Sequence, residues 1–178
     1  MMDAAHAYNQ STTHEWATAQ HWVELARRAM GSIDTDPCSS ERINRMFIQA
    51  DTYYTEESDG LHPGSYWRGN VYLNPPYGRG KRSAGAFLEK LRDEYKARRV
   101  KKAVVCLNLA SLCSKWCSDV LPYIAQCYCI PYGRPQFIPP PGVDASQSTI
   151  GIVFAYVGDE SHRFVSTYIN EGTLLRPA

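Results

Sequence analysis

Apolar residues recur along the chain at two spacings, one typical of helices and the other typical of strands. From Ala19 to Met30 they lie three or four residues apart, which predicts a helix that Gly31 ends. The same spacing returns between Ser83 and Arg99, and Ser83 is in position to cap this second helix. Short runs rich in β-branched and aromatic residues predict strands. Such runs lie at residues 32–36, 71–73, 102–109, 127–131 and 149–157.

The alternation of predicted strands and helices indicates an α/β fold. We expect helices on both faces of one mostly parallel sheet, a compact three-layer sandwich. The run at 102–109 is apolar along most of its length, as expected for a strand that is buried on both faces. Residues 1–13 are polar and are interpreted as a flexible leader. No repeat or linker-like segment follows, so we expect a single domain over residues 14–178.

Composition and charge narrow the class of protein further. Hydrophobic residues make up 44% of the 178 residues and charged ones 21%, which favours a globular domain over a disordered chain. The net charge of +1 neither indicates nor excludes a nucleic-acid partner, because a basic face can exist on a nearly neutral protein. The sequence has no secretory signal and no apolar stretch long enough to span a membrane. We therefore expect an intracellular protein with no membrane partner.

The spacing of the six cysteines favours small buried residues over metal ligands. The chain has no Cys-x-x-Cys pair and no histidine pair at zinc-finger spacing. Cys113 and Cys117 lie one helical turn apart, and Cys127 and Cys129 alternate as they would on a strand. We therefore expect no metal site, and thiols that stay reduced inside the cell.

One strand leads directly into the most unusual segment of the chain. Residues 71–73 are followed by Asn74-Pro75-Pro76-Tyr77, and two adjacent prolines cannot continue a hydrogen-bonded ladder. The residue before each proline is held extended, so the corner is rigid. Ligands of open α/β sheets bind at the carboxyl ends of strands, where this corner is expected to lie. Residues 74–77 are therefore a candidate binding site.

The groups at this corner suit an exocyclic amine. The Asn74 side-chain oxygen and the Pro75 carbonyl can each accept a hydrogen bond from an NH2 group, and Tyr77 can stack on a planar base. Holding both N–H bonds out of the ring plane gives the nitrogen more sp3 character. This nitrogen is a weak nucleophile, and it can then react mainly because the site positions it and supplies preorganised dipoles. The plainer interpretation is a Pro-Pro turn with a surface tyrosine. The apolar strand before the motif favours the chemical interpretation.

Residues 74–77 resemble the signature [Asn/Asp/Ser]-Pro-Pro-[Tyr/Phe/Trp] of amino-group methyltransferases that use S-adenosylmethionine (SAM). The order of further segments is similar to the phage-type DNA adenine-N6-methyltransferase (Dam) family. These segments are Glu-Trp-x-Thr at 15–18, Asp-Pro at 36–37 and Thr-Glu-Glu-x-Asp-Gly-Leu at 55–61, and the resemblance covers residues 14–158. The chain departs from the family pattern at Ala19, where a proline is usual. It also lacks the Phe-x-Gly-x-Gly loop of larger adenine methyltransferases.

The resemblance implies a Rossmann-like SAM-dependent methyltransferase fold with an antiparallel terminal strand. It also implies a cofactor site in which the Asp36 carboxylate pairs with the ammonium group of SAM, although an ordinary Asp-Pro turn fits this position equally well. The residues it assigns to the cofactor are Trp16, Thr18, Asp36 and Pro37. The residues it assigns to catalysis are Asn74 and Pro75, which hold the target amine, Pro76, which shapes the corner, and Tyr77, which stacks on the base.

Basic residues after the corner are candidates for contact with DNA. Arg79, Lys81 and Arg82 follow the motif closely and can meet phosphates, although basic loop residues are commonly only solvated. Arg134 belongs to a Gly-Arg-x-x-Phe element at 133–137 that related enzymes commonly have. Trp116 fits the rim of a base pocket, but packing in the core is the favoured interpretation.

The function implied is methylation of the N6 amine of an adenine that is flipped out of duplex DNA. Cytosine N4 is an alternative target, because its amine presents nearly the same hydrogens. An alternative of another class is a non-catalytic methyltransferase-like subunit that binds nucleic acid or supports an active partner. The chain leaves little room for a separate target-recognition domain, so specificity is expected to be loose or to come from a protein partner.

Overall fold

The computed structural model describes residues 16–77, 83–142 and 150–177, and seven strands of this part form one mixed sheet. The strands are β1 Ala17–Thr18, β2 Thr35–Asp36, β3 Thr52–Tyr53, β4 Gly69–Leu73, β5 Val100–Asn108, β6 Ala125–Pro131, β7 Phe137–Ile138, β8 Ile152–Val157 and β9 Gly172–Leu175. The helices are α1 Gln20–Met30, α2 Glu41–Ile43, α3 Ala84–Lys96, α4 Lys115–Ser118 and α5 Ser161–Tyr168. A π-helical turn, Asn44–Ile48, continues α2, and 3-10 turns lie at Leu109–Cys113 and Leu121–Tyr123.

The large sheet has the strand order β3-β2-β4-β5-β8-β6-β9. The pairs β3–β2, β2–β4 and β4–β5 are parallel, whereas β5–β8, β8–β6 and β6–β9 are antiparallel. The prediction of a mostly parallel sheet is therefore confirmed for only one half of it. The run at 149–157 forms β8, which is antiparallel to both neighbours but lies inside the sheet. A buried strand is apolar in either direction, so its sequence does not reveal which neighbours it has.

Two elements follow Gly158 in a segment whose polar sequence predicts neither. The first, α5, buries Phe164 and Tyr168, and the second, β9, pairs with β6 so that Gly172 lies opposite Pro131. Two buried residues in a helix of two turns produce too weak a periodicity for prediction. The tail is therefore part of the folded sheet.

Alternate residues of β5 face two separate hydrophobic clusters. Val104 and Cys106 pack with residues of α1 and α5 on one face, and Val105 and Leu107 pack with residues of α3 on the other. All four side chains are fully buried. Helices therefore cover both faces of the strand, as its apolar sequence predicts.

Both predicted helices form close to their predicted bounds. Gly31 ends α1 in the left-handed conformation, with φ of +97°, and its N–H donates to the Arg27 carbonyl. The Ser83 side chain accepts a hydrogen bond from the Ala86 N–H at the beginning of α3, so the predicted cap is confirmed. No helix in the described ranges combines the length and the apolar character that crossing a membrane requires.

Most of the cysteines are buried side chains of the core. Burial raises the pKa of the Cys117 and Cys127 thiols to about 11, which keeps both neutral. Cys113 is exposed and Cys38 is partly buried. The expectation of small buried residues is confirmed for four of them. These are Cys106, Cys117, Cys127 and Cys129.

Candidate active site

The carboxyl ends of three neighbouring strands bring the predicted site residues together. β2 and β4 are adjacent and parallel, with Thr35 opposite Val71, and β5 lies on the other side of β4. Asp36 therefore ends one strand, and Asn74 follows the next strand at the same edge of the sheet. Ligands of open α/β sheets bind at such an edge.

Asn74 is held by both its backbone and its side chain. Its backbone carbonyl accepts a hydrogen bond of 3.2 Å from Cys38 Sγ, just after the acidic turn. Its side-chain Nδ2 donates to Thr18 Oγ1 at 3.3 Å. Pro75 is buried and Pro76 is partly buried, so the corner is packed into the fold.

The Tyr77 side chain is held at the end of the neighbouring strand. Its hydroxyl accepts a hydrogen bond from the backbone N–H of Asn108, the last residue of β5. The ring lines a cavity of about 170 Å³ together with Trp116 and residues 83–85, at the beginning of α3. Two aromatic side chains therefore border one cavity beside the corner. The sequence favours core packing for Trp116, and in the structure this side chain both packs against the second hydrophobic cluster and lines the cavity.

Asp36 presents a buried carboxylate beside the corner, with only 3% of the residue exposed. Its Oδ1 accepts a hydrogen bond of 3.2 Å from the Cys38 N–H, as in an ordinary Asp-Pro turn. Burial raises the pKa of this carboxyl from 3.8 to about 6, although hydrogen bonds from the Cys38 backbone and the Ser39 side chain act to lower it. A turn accounts for the bond to Cys38 but does not require burial. Buried acids with raised pKa values are typical of functional sites.

A glycine allows the loop at 55–61 to lie directly against the acidic turn. A Cβ atom on Gly60 would lie 2.0 Å from the Pro37 carbonyl oxygen, so a larger residue does not fit this contact. The Gly60 carbonyl accepts a hydrogen bond of 2.9 Å from Nε1 of the buried Trp67. Sequence reasoning did not assign Gly60 to the site. The only indication of this role in the sequence is that a glycine stands in the Thr-Glu-Glu-x-Asp-Gly-Leu segment.

A small ribbon joins the N-terminal segment to the segment at 133–137. β1 pairs with β7 in antiparallel orientation, and Thr18 lies opposite Phe137. Thr18 is buried, whereas Trp16, just before β1, is partly buried. Arg134 is exposed in the loop that leads into β7. Two segments far apart in the sequence therefore meet, and one of them contacts Asn74 through Thr18.

The remaining predicted DNA contacts, Arg79, Lys81 and Arg82, lie outside the described residues. Within the three described ranges, no three His, Cys, Asp or Glu side chains come together in a group able to hold a metal ion.

A comparison with protein-family models identifies the family. The model described as DNA N-6-adenine-methyltransferase (Dam) matches residues 6–176, nearly the whole chain. The chain belongs to the Dam family. No curated protein matches it. The resemblance drawn from the order of the motifs is thus confirmed, and the match extends past residue 158 to include α5 and β9.

Membership of the Dam family indicates an enzyme, a DNA N6-adenine methyltransferase, and hence DNA as its substrate. The site described above lies at one edge of the sheet. Its components are an acidic turn, a proline corner and a cavity bordered by two aromatic rings.

Proposed function

We propose that this Dam-family enzyme transfers a methyl group from SAM to N6 of an adenine that is flipped out of duplex DNA. The observation that carries the proposal is the hydrogen bond between Cys38 Sγ and the Asn74 carbonyl. It joins the turn proposed for the cofactor to the corner proposed for the target amine, so the two reactants would bind side by side. Parallel strands at this edge and helices on both faces of the sheet support a Rossmann-like SAM-dependent fold.

The residues around the acidic turn fit the cofactor. A buried carboxylate whose pKa is raised to about 6 gains from a cationic partner, and the Asp36 side chain would pair with the ammonium group of SAM. Pro37, held by the loop at 55–61, would shape the same turn, and the partly buried Trp16 would line the cofactor from the N-terminal side. SAM, when bound, supplies an electrophilic methyl group on its sulfonium.

The proline corner would prepare the target amine. The Asn74 side-chain oxygen and the Pro75 carbonyl would each accept one N–H of the adenine amine, which directs the nitrogen lone pair at the methyl group. Pro76 keeps these two acceptors in fixed positions. The amine would attack the methyl carbon directly as its bond to sulfur breaks, with S-adenosylhomocysteine leaving and one amine proton lost, so no covalent link between protein and base would form. The reaction then depends on how accurately the two acceptors are held.

The cavity beside the corner would hold the flipped base. Tyr77 would stack on one face of the adenine, and Trp116, which lines the same cavity, would border it on another side. Stacking of a base on an aromatic side chain contributes about 1–3 kcal/mol. The hydrogen bond from the Asn108 N–H holds the Tyr77 ring in place before a base arrives.

Basic residues would contact the DNA backbone. Arg79, Lys81 and Arg82 directly follow the corner in sequence, and Arg134 is exposed before β7. Phosphate contacts orient a duplex without reading its sequence. Target recognition would be loose or would come from a protein partner, and the enzyme would act inside a cell, where its DNA substrate lies.

The test is to incubate the purified protein with SAM and unmethylated duplex DNA and to identify modified nucleosides by mass spectrometry. We expect N6-methyladenine. N4-methylcytosine would retain the chemistry of the corner but contradict the proposed base. A thermal shift on SAM addition without any methylation would contradict autonomous activity. The absence of both methylation and a thermal shift would favour a non-catalytic subunit.

A further inference from the structure

The Thr18 hydroxyl lies between the core and the amine-binding corner. Its Oγ1 accepts one hydrogen bond from the Tyr72 hydroxyl at 2.8 Å and another from Asn74 Nδ2 at 3.3 Å. A threonine oxygen has two acceptor lone pairs, and these two donors use both. Thr18 and Tyr72 are each only 1% exposed. The hydroxyl is therefore engaged on the inner side of the corner.

The side-chain amide of Asn74 is oriented with its Nδ2 toward Thr18. The oxygen and nitrogen of a side-chain amide lie in one plane, on different sides of the same carbon. When Nδ2 donates to Thr18, Oδ1 points away from Thr18. Oδ1 is the atom that the proposed function requires as an acceptor for the adenine amine. The reversed amide would present N–H donors to an amine that is itself a donor.

Thr18 is in turn fixed from two sides. β1 has only two residues, but it pairs with β7, so the Thr18 backbone is anchored at the ribbon. The Tyr72 hydroxyl approaches from β4, in the core of the sheet. Burial raises the pKa of Tyr72 well above its ordinary value, so this phenol stays protonated and remains a donor. Tyr72 therefore holds the Thr18 oxygen in one position.

We propose that Thr18 is a positioning residue that sets the orientation of the Asn74 amide, with Tyr72 as its support. The inference rests on the proposed function of Asn74. It differs from the assignment of Thr18 to the cofactor, because the side chain is buried and its oxygen accepts hydrogen bonds from two protein donors, Tyr72 and Asn74.

Steady-state kinetics of three variants test the proposal. Thr18→Val replaces the hydroxyl with a methyl group of similar size, and kcat should fall about 10- to 100-fold while KM for SAM changes less than about twofold. Thr18→Ser keeps the hydroxyl and should retain most of kcat. Tyr72→Phe removes only the support and should lower kcat less than Thr18→Val does. An unchanged kcat in Thr18→Val would overturn the proposal, and so would a raised KM for SAM at unchanged kcat.

A second measurement does not depend on activity. The side-chain NH2 signals of Asn74 in a 15N-labelled sample are assigned by their loss in Asn74→Asp. Thr18→Val should shift these signals, and Thr18→Ser should leave them near the wild-type position. Unshifted signals in Thr18→Val would overturn the positioning role. If Thr18→Val does not fold, Thr18→Ala, which also lacks the hydroxyl, is read in the same way, and unshifted signals again count against the proposal.

The two measurements also separate the inference from the proposed function. A wild-type protein that methylates no base would contradict the proposed function, while the NMR signals would still report whether Thr18 orients Asn74. An active wild type with an equally active Thr18→Val variant would leave the function in place and remove the positioning role.

Discussion

At the scale of single residues, the buried carboxyl of Asp36 has the clearest energetic consequence. A carboxyl whose pKa is raised on folding binds its proton more tightly in the folded state than in the unfolded chain. The free energy of unfolding therefore falls as the pH rises from about 4 to about 6, and it stays lower above that range. Asp36 thus lowers the stability of the free enzyme at neutral pH, as expected for a group that serves a ligand.

Asp36→Asn should raise the free energy of unfolding at pH 8, because a neutral amide avoids burial of a charge and still offers an oxygen to the Cys38 N–H. A pKa raised from 3.8 to about 6 corresponds to at most about 3 kcal/mol, and the difference from wild type should vanish near pH 4. Urea unfolding at both pH values measures this. An equal difference in the free energy of unfolding at pH 4 and at pH 8 would contradict the account. The variant should also bind SAM more weakly, since it has no carboxylate for the ammonium group.

The aromatic ring of Tyr77, rather than its hydroxyl, should carry its contribution to activity. Tyr77→Phe keeps the stacking surface but leaves the Asn108 N–H without this acceptor, which costs about 1–3 kcal/mol of stability. Tyr77→Ala also removes the stacking, so methylation at subsaturating DNA should fall a further 10- to 100-fold. Initial rates of the two variants, corrected for folded fraction, check this. Equal losses in both variants would assign the effect to the hydroxyl.

The sequence indicates candidate site residues more readily than it indicates the contacts that hold them. Asn74 and Asp36 are recognisable because a strand, a proline and a polar side chain are adjacent in the chain. Their partners are not adjacent: Thr18 bonds Asn74 across 56 positions, and Cys38 does so across 36. A single sequence has no local signal for such contacts. The family resemblance assigns Thr18 to the cofactor, and its bond to Asn74 emerges only in the structure.

At the scale of secondary-structure elements, the contact between the loop at 55–61 and the acidic turn should be sensitive to one methyl group. Gly60→Ala would place a Cβ atom 2.0 Å from the Pro37 carbonyl, so the turn must shift. We expect a loss of about 1–3 kcal/mol in stability and weaker SAM binding. Denaturant unfolding and calorimetric titration with SAM measure the two effects.

Gly64→Ala is a matched control for this change in the same loop. A Cβ atom there would meet the exposed side chain of His62 at 3.2 Å, and that side chain can move. Stability and SAM affinity should stay within about 0.5 kcal/mol of wild type. Similar losses in both variants would show that the loop is generally sensitive, and the specific role of Gly60 at the turn would be wrong.

The elements themselves are predicted unevenly, for a physical reason. Helices α1 and α3 have long periodic sequences and recognisable ends, and both form as predicted. The direction of β8 does not follow from its residues, because pairing with β5 and β6 depends on where the chain returns to the sheet. The prediction of a mostly parallel sheet is wrong for the half that contains β8, β6 and β9. The sequence of β9 is too short for this strand to be predicted.

At the scale of the whole molecule, the carboxyl ends of neighbouring strands assemble the site from segments that lie far apart in the chain. Asn74 contacts the N-terminal segment and the acidic turn, and Tyr77 contacts the end of β5. The site is therefore complete only when the sheet is complete. A substitution that removes one acceptor atom at the corner leaves the packed core in place. Its effect on methyl transfer can therefore be measured separately from unfolding.

The measurement that tests the central claim most directly is single-turnover methyl transfer from labelled SAM to duplex DNA by wild type and by Asn74→Ala. We predict N6-methyladenine from wild type and a loss of at least about 100-fold in Asn74→Ala, because one of the two acceptors for the amine is gone. The melting temperature and SAM affinity of the variant should stay near those of wild type. Methyl transfer by Asn74→Ala at the wild-type rate would contradict the account, since the corner would then play no part in the chemistry.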